Sequence, residues 1–140
     1  MSHTYNVVDL PNVNVFKSQI KAFADFLMIS GMGIADQMIN DFDFLLGVGE
    51  IFTLVVYGQL IIESARMEKV EDDLLDSIFN VFVRDFSRYA LDIYGKATST
   101  EAQKEQCLKM IKSPVADKEQ FDRVLKTHVY SLVDEYIMNP

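Results

Sequence analysis

Asp72 to Gly95 reads DDLLDSIFNVFVRDFSRYALDIYG. Its apolar positions Leu75, Ile78, Phe82, Phe86, Tyr89 and Ile93 recur at intervals of three and four, which aligns them on one stripe of a helix. Arg84 and Arg88 fall on the opposite face. The acidic start suits the positive end of a helix dipole, and Gly95 is placed as the residue just past its C-terminus. A strand of this length would alternate with period two, and no segment of the chain does so. The reading is therefore an amphipathic helix that needs other helices to cover its stripe.

Working outward, the preceding sequence supplies such partners. A first helix is expected from about Asn12, with Val13, Phe16, Ile20, Phe23 and Leu27 on one side and Lys17, Lys21 and Asp25 off it. Ser30-Gly31-Met32-Gly33 ends it in a turn. A second helix is expected from Asp36 to Met67, apolar nearly all round beyond Phe42, as a helix in the middle of a bundle would be. Asp43, Gly47, Glu50 and Tyr57, with Gly58 beside them, form a narrow seam on it, where small residues allow another backbone to approach. The run Phe42 to Ile62 has membrane-like length, but Asp43, Glu50 and Gln59 interrupt it, and such residues are costly in lipid. It reads as a buried core helix, with no membrane partner.

Downstream, Thr98-Ser99-Thr100-Glu101 is a capping-box pattern that opens a shorter helix through about Ile111, and Ser113-Pro114 stops it. Asp117, with Gln120 three residues on, caps a last helix in which Phe121, Leu125, His128, Leu132 and Tyr136 share a face. The fold class is all-α: an antiparallel bundle of about five helices in one domain spanning residues 1–140, with the second helix central and mostly buried and residues 1–11 as a mobile tail.

Bulk properties narrow the function. At 140 residues and 16.0 kDa, with 49% hydrophobic residues, the chain supports one core without staples. A net charge of −8 and a pI near 4.6 repel phosphate backbones, so nucleic acid is not an expected partner. One cysteine, Cys107, excludes an internal disulfide and multi-cysteine metal sites. MSHTYNVVDLPN carries no cationic segment followed by an apolar one, so the expected location is cytoplasmic.

Catalytic constellations are sparse. There is no phosphate-binding glycine loop, no G-x-S-x-G, no H-E-x-x-H and no cysteine pair. His3 lies in the tail. His128, on an apolar stripe, reads as a hydrogen-bonded core histidine, and it is too near the end of the chain for a globin's proximal ligand. Glu50 interrupts the greasiest helix, where a buried carboxylate must be neutral or paired; it reads as part of a polar seam, with proton transfer as the sharper alternative. Arg84, Asp85, Arg88 and Asp92 offer local ion pairs of about 0.3–0.5 kcal/mol each. Arg84, Arg88 and Tyr89 are interface candidates, because Arg and Tyr favour protein contacts. Cys107 has no basic neighbour to activate it and reads as an idle thiol. No catalytic or metal-ligating residue is expected.

Phe44–Ala65, Asp73–Phe79, Val83-Arg84-Asp85-Phe86-Ser87-Arg88-Tyr89-Ala90-Leu91 and Gly95-Lys96 resemble the C-terminal helical part of bacterial acyl-CoA dehydrogenases. The likeness continues through Thr100–Gln103, Met110-Ile111, Pro114-Val115, Phe121–Val124 and Met138-Asn139-Pro140, over roughly the last two thirds of the chain. It implies an FAD-dependent parent enzyme that oxidises acyl-CoA to enoyl-CoA and passes electrons to an electron-transfer flavoprotein, with C-terminal helices building the subunit interface. The β-rich middle domain and a Tyr-Glu-Gly element are missing here. The implied role is a non-catalytic helical extension that binds no cofactor by itself and packs against the rest of such an enzyme or a sister subunit, forming a homo-oligomer. A free-standing acidic helical interaction module is the alternative.

Overall fold

The computed structural model describes residues 7–129 together with Leu132. His3, Tyr136 and Met138-Asn139-Pro140 lie outside the described residues. Six helices follow in order: α1 (Pro11–Ser30), α2 (Gly33–Asn40), α3 (Phe42–Glu68), α4 (Asp72–Tyr94), α5 (Glu101–Met110) and α6 (Lys118–Val124), the last running into a π-helical turn, Leu125–Val129. No strand occurs among the described residues.

Their ends follow local chemistry. Pro11 opens α1, where a missing N–H costs nothing, and Gly31 ends it at φ 59°. A capping box opens α5, but it is made by Thr100 and Gln103, two residues beyond the expected Thr98 and Glu101; Asp117 caps α6 through the Gln120 N–H at 3.1 Å, and Gly95 ends α4. The helix expected from Asp36 to Met67 is two helices. Asp41 adopts an extended conformation and accepts the Phe44 N–H at 3.0 Å, so it starts a new helix instead of continuing the old one.

Helices α1, α3, α4 and α5 alternate in direction. Gly47 approaches Ile93 and Tyr57 meets Phe82, so α3 and α4 run antiparallel. Gln19 reaches Met110 while Ser30 reaches Gln103, so α1 and α5 do too. Across the diagonal, Phe16 meets Phe79 and Phe23 meets Phe86, which makes α1 and α4 parallel neighbours. Helix α2 leaves α1 at a bend of 97°. The bundle is thus the expected antiparallel one, and its hub is α4, which packs against α1, α3, α5 and α6.

The core is rich in phenylalanine. Phe16 stands edge-on to Phe79 at 5.2 Å and to Phe86 at 5.5 Å, and Phe79 to Phe82 at 5.2 Å. Such pairs contribute about 0.5–1.5 kcal/mol beyond their area, and truncating one ring to Ala costs about 3–5 kcal/mol. The stripe of α4 is wider and rotated from the expected one: Phe79, Val83 and Ala90 are fully buried, while Ile78 and Tyr89 are only partly covered. Neighbours on several sides of α4 explain the wider arc.

Burial of α3 is confined to one side. Phe44, Val48, Ile51, Val55 and Ile62 enter the core, but the opposite face is exposed from Phe42 to Met67. The expectation of a central, mostly buried second helix therefore holds for half its circumference, because α3 finds a full-length partner in α4 and nothing covers its outer side among the described residues. Of the residues expected in a mobile tail, 1–6 lie outside the described residues, while Val8 and Leu10 pack on the core and Lys17 Nζ donates to the Val8 carbonyl at 2.8 Å.

Candidate functional site

On the outer side of the bundle, residues of α3 and α4 line an open groove of about 610 Å³. Its floor is Leu54 and Phe82, its walls include Leu45, Leu46, Tyr57 and Tyr89, and its middle is kept low by Gly49 and Thr53. A Cβ added at Gly49 would meet nothing within 4 Å. Glu50 and Asp85 stand on the rim. A shallower hollow lined by Phe52, Val56 and Leu60 prolongs this apolar surface toward the C-terminus of α3.

The sequence-derived candidates are only partly drawn together. Tyr89 lines the groove. Arg88 lies beside it, 2.8 Å from Asp85 and 5.6 Å over the Tyr89 ring, so its charge is already engaged within α4. Arg84 points elsewhere, into a second groove between α4 and the α5–α6 segment. Glu50 is exposed, contrary to the expectation of a buried polar group, because among the described residues nothing covers the open groove edge that carries it. His128 is likewise not a core residue: it is partly exposed, with Nε2 3.2 Å from the Glu71 carboxylate. The seam expected along α3 is split, with Gly47 and Gly58 buried and Asp43, Glu50 and Tyr57 turned outward.

The polar groups that are buried were not legible as such. Asn12, Gln19, Asp76, Ser99 and Gln103 lie inside the bundle. Leu10 provides no side-chain cap for α1, and Asp76 of α4 provides one instead, accepting the Asn12 backbone N–H at 2.8 Å and its side-chain amide at 3.1 Å. Asn12 also exchanges hydrogen bonds with the Val115 backbone at 3.2 and 2.7 Å. Gln19 Nε2 donates to the Val83 and Met110 carbonyls and to Ser87 Oγ. Gln37 and Gln103 form a reciprocal amide pair at 2.9 and 2.8 Å. The hydrogen bonds of these groups all go to the bundle itself, and Gln19 Oε1 is left buried without a partner among the described residues. Cys107 is buried, and burial pushes its thiol up to about 12, as befits an idle side chain.

No group of three or more His, Cys, Asp or Glu side chains among the described residues is arranged to hold a metal ion. The α3–α4 groove does not fit a flavin dinucleotide either. A diphosphate needs cations or clustered N–H donors, and this groove offers apolar walls and two carboxylates. By length and composition α3 could cross a membrane, with a mean hydropathy of 1.9, although its inner face is packed against protein.

Comparison with protein-family models, with curated proteins and with solved structures finds no match for this chain.

Proposed function

We propose that this chain is a non-catalytic helical packing module that docks through the outer face of α3 and the adjoining groove. The observation that carries this reading is the apolar outer side of α3, which stands exposed among the described residues and which a monomer in water has no reason to keep. Tyr89 and Arg88 border that surface and join it to α4. The setting is an acyl-CoA dehydrogenase-like flavoprotein, with the rest of such an enzyme or a sister subunit as partner. The likeness of Val83–Leu91 and its flanking segments to the C-terminal helices of those enzymes supports that setting. Any acyl-CoA oxidation belongs to the parent enzyme and its FAD.

The test is recovery of the tagged chain from its host. It should bring down, in fixed ratio, a yellow preparation that oxidises acyl-CoA, while the chain purified alone is colourless and inactive. Flavin held by the isolated chain, or recovery without any flavoprotein, would overturn the reading.

A further inference from the structure

Resting on that reading, we infer that the occupant of the outer α3 face is the same face of a second copy, laid antiparallel across a two-fold axis between Thr53 and Val56. The exposed seam runs Phe42, Leu46, Gly49, Thr53, Val56, Leu60, Glu63 and Met67 at alternating steps of four and three, the spacing of a helix built to pack on another helix. Its large members are well exposed: Phe42 by 68%, Leu46 by 47%, Leu60 by 53% and Met67 by 84%.

Area favours a protein partner of this size. Taking about 150–200 Å² for a fully exposed large side chain, the lower part of the aromatic range, the seam together with its flanking Leu45, Phe52 and Tyr57 presents on the order of 650–850 Å². That exceeds the roughly 300–600 Å² of the largest patch on a typical monomer. It approaches the roughly 800 Å² that each partner contributes to a standard interface.

Shape sets the orientation. In the middle of the seam Gly49 leaves a gap on the N-terminal side, Leu60 projects on the C-terminal side, and the near-isosteric Thr53 and Val56 lie between them. An antiparallel copy seats Leu60 over Gly49 and Val56 beside Thr53, twice, and brings Met67 against Phe42 and Glu63 beside Leu46 at both ends. A parallel copy would put Gly49 on Gly49 and Leu60 on Leu60, leaving a void and a clash. A two-fold contact in which residue i meets j and j meets i is the commonest way for a chain to close on itself. Lipid is a poorer occupant, since sinking this face into hydrocarbon would carry Glu50, Glu63 and Asp85 with it, and charged side chains there are costly.

Sedimentation of the whole chain should give twice 16.0 kDa, and Leu60→Glu or Val56→Glu should weaken the dimer at least 100-fold with helicity unchanged. Both sites are exposed, so neither variant disturbs the core. Phe42→Cys mixed with Met67→Cys should cross-link, while neither links to itself; the buried native thiol of Cys107 stays silent. A monomer, a dimer indifferent to Leu60→Glu, or self-linking of Phe42→Cys would each overturn the proposal. So would a monomer that floats with phosphatidylcholine vesicles, which would assign the face to lipid. A monomer that still brings down a flavoprotein removes the self-pairing alone, whereas flavin bound by the isolated chain removes the functional reading and leaves the pairing intact.

Discussion

Asp76 caps a helix it does not belong to: its carboxylate, on α4, accepts the Asn12 N–H at the start of α1 at 2.8 Å. The partial positive charge of a helix N-terminus is thereby met inside the bundle, 64 residues away along the chain. Asp76→Ala leaves the Asn12 backbone N–H without its acceptor and removes one acceptor of the Asn12 side-chain amide, which keeps the Val115 carbonyl. Urea denaturation should show a loss of about 2–3 kcal/mol, and Asp76→Asn, which keeps one oxygen for the backbone N–H, should lose less. Equal losses for the two variants would deny the cap its role.

Gly47 faces α4 where a Cβ would sit 3.0 Å from Ile93 Cγ1. Ala favours a helix over Gly by about 1 kcal/mol, but here the methyl group has to displace a branched, fully buried side chain, and overpacking typically costs about 1–3 kcal/mol. Gly47→Ala should therefore lower the unfolding midpoint. A raised midpoint would mean that Ile93 yields freely.

Arg123 of α6 grips Asp73 of α4 with two hydrogen bonds, at 2.7 and 3.1 Å. That grip, before any other cause, holds the Asp73 carboxyl below its ordinary 3.8. The folded state thus binds this proton more weakly than the unfolded chain. The resulting stability is complete above the unfolded value and vanishes as pH falls through the folded one. Arg123→Gln should lower the Tm at neutral pH, and the gap between variant and parent should close in acid below about 3.8. A gap of constant size across the titration would exclude the carboxylate as its source.

Cys107 is fully buried, with its thiol pushed up to about 12 by desolvation. At pH 8 the thiolate fraction is negligible, so iodoacetamide should leave the native protein unlabelled and modify it only after denaturation. Rapid labelling of folded protein would show that the α1–α5 contact opens readily.

Much of the fold was legible. The three- and four-residue steps announced helices, and Asp117, Gly31 and Gly95 marked ends that the structure places within a residue or so, while the α5 cap falls on Thr100, two residues past the expected Thr98. The break at Asp41 had a signal too, an Asp preceding a helical run, but it was submerged in the continuous apolar pattern around it. The candidate site was less legible for a different reason. Periodicity reports which residues are greasy and says nothing of how many neighbours exist to cover them, so Glu50 and the outer side of α3 were assigned to an interior that the bundle does not have. Asn12, Gln19 and Gln103 failed the opposite way. Amides inside helices resemble surface residues until a distant partner carbonyl is known.

Those amides carry information that the phenylalanine core cannot. Rings packed edge-on in a greasy layer tolerate a helix sliding by one turn, about 5.4 Å, because one aromatic contact replaces another at little loss. A Gln19 shifted by that distance abandons the Met110 carbonyl and Ser87 together, and a shifted Asn12 strands Asp76. Asn12 and Gln19 on α1, with Gln103 gripping Ser30 near its far end, thus act as detents that index α1 against α4 and α5. They turn a collapsed bundle with many near-equal alignments into one with a single setting.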